Sequence, residues 1–227
     1  MKHSVQLTLV VLSAAVLPLC FPPFGWWPLV LLVFPPLLLA TTNTTPRRAF
    51  YLGMIHGIIG YGAALYWLFN IFAAAAIVLI VITAAFPALF CLLLNYFAKQ
   101  TNSATLKLIL AATLWTALEF YRSELFFLRF PWITPGSALG PTYLSPIVGV
   151  YGMSFLVVAA SAGFVHRRTV PLAVFLSICV LSLGLFHPGR VEPDKEGSVT
   201  VTVVQSEASL LESYVALTKT VRGNLPT

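Results

Sequence analysis

The chain has 227 residues, 59% of them hydrophobic and only 9% charged. A soluble domain carries about 25% charged residues, so a surface wetted over its whole area is excluded, and a mean hydropathy of +0.91 names lipid as the main solvent. The net charge of +6 does not indicate nucleic acid, because no Lys/Arg-rich run is interleaved with aromatics.

Nine of the thirteen basic residues, but only two of the seven acidic ones, precede residue 190. That is the pattern of basic caps on membrane segments facing anionic phospholipid headgroups. The three cysteines, Cys20, Cys91 and Cys179, fall inside apolar stretches without metal-ligand spacing or a disulfide pattern, and read as small hydrophobes.

Met1-Lys2-His3 opens an apolar run that could pass for a signal peptide. A cleavage site needs small residues just upstream, and Pro18 and Leu19 precede Cys20, so an uncleaved first span is expected. Apolar runs then cover 5–21, 26–40, 49–69, 72–97, 103–121, 146–165 and 170–186, about seven spans. The first two are short and separated by Pro22-Pro23-Phe24-Gly25. They are tilted spans or a hairpin that dips in and returns.

Seven spans make two alternating sets of loops. The set that includes the N-terminus holds Lys2, Arg47, Arg48, Lys99, Lys107, Arg167 and Arg168 with no acid. The other holds Arg122 and Arg129 beside Glu119 and Glu124. The positive-inside rule puts the first set in the cytoplasm and the C-terminal tail outside, in the periplasm of a bacterium.

Several residues stand out, each with two readings. Trp26, Trp27, Tyr66, Trp67 and Trp132 fall at outer span ends, where aromatics anchor at headgroup depth or touch substrate directly. His56 lies mid-span between Gly53 and Gly57: a polar contact in a lipid cavity, or a helix-packing site where the glycines admit a neighbour. Glu119 and Arg122, at i and i+3, share a helix face, as a local ion pair holding the external loop or as functional ionisable groups. The loop over 122–145, rich in aromatics, Pro and Gly, is expected to fold onto the membrane surface. Asn70 and Asn95 sit at membrane edges. No glycine-rich phosphate loop, metal cluster or Ser/His/Asp arrangement occurs, so no cofactor or metal is expected.

After residue 186 the character changes. His187-Pro188-Gly189-Arg190 and the polar stretch 192–197 have turn chemistry. Residues 198–205 alternate and then run β-branched, as a buried strand does, and 210–222 have the apolar spacing of an amphipathic helix. One strand and one helix cannot bury a core. The fold class expected is therefore an α-helical polytopic membrane bundle over 1–190, followed over 191–227 by the first strand and helix of an incomplete α/β domain.

A family resemblance rests on residues in chain order. Phe21-Pro22-Pro23-Phe24-Gly25-Trp26-Trp27-Pro28-Leu29 comes first, then Arg47-Arg48-Ala49-Phe50 and Tyr66-Trp67. Glu119, Arg122-Ser123 and Phe130-Pro131-Trp132 follow, then Gly149-Val150-Tyr151-Gly152-Met153-Ser154-Phe155 and finally 201–205. Together these resemble the apolipoprotein N-acyltransferases over almost the whole chain. The resemblance implies a bacterial inner-membrane enzyme that moves an acyl chain from a phospholipid to the α-amino group of a lipoprotein's diacylglyceryl-cysteine. It also implies a Glu-Lys-Cys triad in a periplasmic nitrilase-like domain that begins at 191.

The triad itself is not expected within these residues. The family's catalytic Glu follows a Trp-Pro pair on the next strand, whereas Glu207 and Glu212 occupy a turn and a helix start, and no cysteine follows Cys179. No catalytic residue is therefore assigned, and the chain alone is expected to be inactive, a truncated or split form. Arg129 replaces a Gly common before Phe-Pro-Trp, and the Lys-Trp pair usual after the first strand is absent. Two other functions fit the composition: a small transporter, disfavoured by span interiors with almost nothing ionisable besides His56, or a membrane anchor for a different nitrilase-fold enzyme.

Overall fold

The computed structural model describes residues 2–42 and 44–185. The expected strand over 198–205, the helix over 210–222 and the domain start at 191 lie outside the described residues. Among these residues all regular structure is helical.

Helix α1 (His3–Leu19) and helix α2 (Val30–Thr42) form an antiparallel hairpin. Gln6 Nε2 donates to the Ala40 carbonyl (3.1 Å), Ser13 Oγ to that of Val33, and the Trp26 N–H to that of Leu19 (2.9 Å). The turn contains a cis Pro22–Pro23 peptide and Gly25 at φ 65°, a left-handed conformation open to glycine. With 17 and 13 residues, the helices are about 25 and 20 Å long at 1.5 Å per residue. Both fall short of a hydrocarbon core of about 30 Å.

Helix α3 (Pro46–Ala64) starts at a built N-terminus: Thr45 Oγ1 accepts the Arg48 N–H at 3.3 Å and Pro46 takes the first helical position. After the short α4 (Leu68–Phe72), α5 (Ala75–Ala98) returns antiparallel and packs on α3 more extensively than any other pair. Gly53 and Gly57 allow this approach. A Cβ on Gly53 would lie 2.5 Å from the Pro87 carbonyl oxygen, and one on Gly57 would lie 2.6 Å from the Ala84 Cα.

Helix α6 (Ala104–Phe120), capped by Ser103 Oγ on the Leu106 N–H, continues into a π-helical turn over Tyr121–Leu125. The loop beyond carries the single turn α7 (Pro135–Ala138). Helix α8 (Ser145–Ala162) is kinked where Gly149 adopts φ 66°, and α9 (Val170–Leu185) closes the described chain. Phe34 of α2 and Phe90 of α5 meet the Trp115 ring of α6 edge-on, at 4.7 and 5.1 Å, in the centre of the core.

Four helical segments are long and apolar enough to cross a membrane: Ala75–Ala98, Ala104–Leu125, Ser145–Val165 and Arg167–Leu185. Two shorter apolar helices, His3–Leu19 and Trp27–Thr42, accompany them. Helix α3 carries Arg47, Arg48, His56 and four glycines, which dilute its apolar content. Ile77, Val78, Ile147, Phe175 and Ile178 are more than half exposed, a surface that water would not tolerate and acyl chains would. These helices make a membrane bundle.

The bundle has two chemically distinct ends. One gathers His3, Arg48, Lys99, Lys107 and His166. There Asn95 Nδ2 donates to the carbonyls of Thr41 (2.6 Å), Thr44 (3.2 Å) and Thr42 (3.3 Å), tying α5 to the free carbonyls at the end of α2. The other end is aromatic.

Candidate functional site

At the aromatic end, two charged residues are buried within protein. Glu119 is 4% exposed and Arg122 2%, and each is surrounded by neutral partners. Trp115 Nε1 donates to Glu119 Oε2 at 2.9 Å, one helical turn back on α6. Ser154 Oγ, on α8, donates to Glu119 Oε1 at 2.7 Å and accepts the Gly136 N–H at 2.8 Å. Arg122 donates to Tyr61 Oη at 2.8 Å and to the Trp132 carbonyl at 2.9 Å, with its guanidinium 5.4 Å from the Tyr61 ring centroid.

The local ion pair open at the i, i+3 spacing is thus not a direct one. Glu119 meets Trp115 and Ser154, and Arg122 meets Tyr61 and Trp132. The π turn begins at Tyr121, so Arg122 leaves the regular helix register just after Glu119. Its side chain turns toward α3 and the loop.

This network folds the loop over 122–145 onto protein. Ile133 and Leu139 are buried, and a Cβ on Gly136 would sit 2.2 Å from the Val150 carbonyl oxygen, so the loop presses on α8 where only glycine fits. Arg129 and Ile133 adopt positive φ, 41° and 59°, as the chain turns back sharply around the Trp132 carbonyl. The loop is pinned to α8 at Gly136, with the rings of Phe127, Trp132 and Tyr143 left exposed.

The aromatic residues expected at this end divide by environment. Trp26, Tyr66 and Trp132 are more than half exposed. Trp67 is half-buried, its ring 5.5 Å from that of Trp132. Trp27 packs over α9, where a Cβ on Gly184 would meet its ring at 2.4 Å. His56 lies apart from this cluster. Its Nδ1 is 3.2 Å from Ser13 Oγ. Because the one Ser13 proton goes to the Val33 carbonyl, His56 is the donor. Flanked by Gly53 and Gly57, it serves the packing of α1, α2 and α3.

The cavity beside Glu119 and Arg122, also lined by Tyr61, Phe86 and Trp115, measures about 10 Å³. That is room for no more than one water. The network ties the loop to α3 and α8. Among the described residues no group of three or more His, Cys, Asp or Glu is placed to hold a metal. Tyr61 and Trp115 were not singled out in the sequence, and Ser154 stood there only within the Gly149–Phe155 motif. Only Trp115 carried a signal, its i−4 spacing from Glu119.

The fold and site define a helical membrane protein with a buried polar latch under an aromatic rim. The sequence model of the apolipoprotein N-acyltransferase N-terminal domain matches residues 13–163, two thirds of the chain. Similar proteins named apolipoprotein N-acyltransferase occur in Geobacter metallireducens (30% identity over 194 residues, 77% of this chain and 37% of that protein) and Pseudomonas paraeruginosa (30% over 203 residues, 80% and 40%). Another occurs in Nitrosomonas europaea (28% over 207 residues, 82% and 41%). The chain belongs to the apolipoprotein N-acyltransferase family, and it spans about 40% of the length of these relatives.

Proposed function

We propose that this chain is the membrane part of an apolipoprotein N-acyltransferase. The whole enzyme transfers an acyl chain from a phospholipid to the N-terminal amine of a lipoprotein's diacylglyceryl-cysteine. The family match over residues 13–163 carries this reading, because it covers the bundle from α1 through α8.

In this reading α3, α5, α6, α8 and α9 cross the bacterial inner membrane, and the shorter α1 and α2 enter and leave it as tilted spans or a returning hairpin. The N-terminus lies in the cytoplasm, and residues 191–227 open a periplasmic nitrilase-like domain. The distribution of basic residues supports that orientation. The Glu-Lys-Cys triad belongs to the nitrilase-like domain, and no group in these 227 residues performs the transfer. Trp26, Trp27, Tyr66, Trp67 and Trp132 contact the phospholipid donor at the outer leaflet. Glu119 and Arg122 hold the loop that presents Trp132, and His56 keeps the helices beneath it packed.

The test is a chimera in which residues 1–190 replace the corresponding membrane segment of the Geobacter metallireducens relative, read by mass spectrometry of lipoprotein N-termini. N-acylated termini are expected. A chimera that inserts at the normal level but leaves the amines free would contradict the reading. The 227-residue chain by itself should transfer nothing, and activity from it would overturn the placement of the triad.

A further inference from the structure

The end of the bundle opposite the aromatic rim holds a hollow of about 720 Å³, where α1, α2, α3, α5, α6 and the α8–α9 turn meet. His3, Arg48, Lys99, Lys107 and His166 line it together with Thr and Asn side chains, and among the described residues no carboxylate does. The N-termini of α3 and α6 open toward it, adding the positive ends of two long helix dipoles. Arg48 donates to His3 Nε2 at 3.1 Å and Lys99 to the Thr44 carbonyl at 2.8 Å. Neither partner is a carboxylate, so these two cations are held in place without their charge being cancelled. Burial first, then the charge of Lys107, holds His166 below the usual histidine range.

A second hollow of about 340 Å³ adjoins the first. Phe97, Leu106, Ile109 and Leu110 line it on the flanks of α5 and α6, and its lining shares Thr101 with the basic bowl. A basic cup that shares the lining residue Thr101 with an apolar groove on the flanks of α5 and α6 offers the two-part chemistry of one lipid molecule.

We propose that this bowl binds the phosphodiester headgroup of an anionic membrane phospholipid, with one acyl chain lying along the α5–α6 groove. Basic pockets between helix ends select anionic over zwitterionic headgroups because each cation near the surface favours negative charge. The groove makes the ligand a lipid rather than a free anion. The site lies at the end of the bundle away from Glu119, Arg122 and Trp132, and it is independent of the acyl-transfer reading. A bound lipid would join the ends of α1, α3, α5 and α6 without being a substrate.

The test is native mass spectrometry of the full chain released from nanodiscs of equal parts phosphatidylglycerol and phosphatidylcholine. Retention of phosphatidylglycerol over phosphatidylcholine is expected. It should drop roughly tenfold or more in the triple variant Arg48→Gln, Lys99→Gln, Lys107→Gln. The pair Arg167→Gln, Arg168→Gln, exposed at the same end but outside the bowl, should retain it. If the triple variant fails to insert, Lys107→Gln alone is read in the same way, with a several-fold loss expected. A groove variant, Ile109→Trp, should also reduce retention. Equal retention of both lipids overturns the site, as does a loss in the Arg167/Arg168 pair equal to that in the bowl variant. Displacement of the lipid by millimolar inorganic phosphate, with Ile109→Trp unaffected, overturns the lipid as ligand.

Discussion

Arg122 donates to the Tyr61 hydroxyl across 2.8 Å, joining the π turn after α6 to the outer part of α3. The same guanidinium reaches the Trp132 carbonyl at 2.9 Å, so one side chain ties two helices and the loop over 122–145. A buried cation of this kind is tolerable only while its donors have acceptors.

Tyr61→Phe removes that acceptor and keeps the ring. The Arg122 Nε already has no partner, so the loss leaves the guanidinium further short of acceptors. The expected cost is about 1–3 kcal/mol, measured as a lower thermal midpoint in detergent. Tyr66→Phe, at an exposed tyrosine, should leave the midpoint unchanged.

Gly136→Ala tests the seating of the loop on α8. The new Cβ meets backbone at 2.2 Å, the Val150 carbonyl oxygen, which cannot yield as a flexible side chain would. Destabilisation of about 1–3 kcal/mol is expected, with faster proteolysis between residues 126 and 144. An unchanged cleavage pattern would show the loop held by other contacts.

The seven apolar runs of the sequence coincide with α1, α2, α3, α5, α6, α8 and α9, because period and hydropathy are local properties. Boundaries were less legible. Helix α3 starts at Pro46 rather than residue 49, since the Thr45 cap and Pro46 set its N-terminus independently of apolar content. The run at 146–165 hides the Gly149 kink. At the site, Glu119 and Arg122 were visible as rare charges in an apolar span. Tyr61 and Ser154 were not, because they approach across 61 and 35 residues of chain and no spacing encodes such a contact. Asn95, uninformative in sequence, proves to close the end of α2.

Asn95→Leu removes the donor shared by three carbonyls at the basic end. The variant should lose about 1–3 kcal/mol and show faster amide exchange at the ends of α2 and α5, with no change around Tyr61. Uniform loss of protection through the whole bundle would mean that Asn95 supports more than this junction.

Trp132→Ala keeps the backbone carbonyl that Arg122 needs and removes only the exposed ring. In the chimeric enzyme its expected effect is weaker lipoprotein N-acylation with an unchanged thermal midpoint. A lowered midpoint with normal acylation would make the ring a packing element.

Site-directed labelling most directly tests which end of the bundle faces outward. With Cys20, Cys91 and Cys179 replaced by Ala, a single cysteine is introduced at Tyr143→Cys on the aromatic end or at Asn102→Cys on the basic end. An impermeant maleimide added to cells with a permeabilised outer membrane should modify Tyr143→Cys and spare Asn102→Cys until lysis. Labelling of Asn102→Cys with protection of Tyr143→Cys would put the latch and its aromatic rim in the cytoplasm and contradict a periplasmic acyl-transfer site.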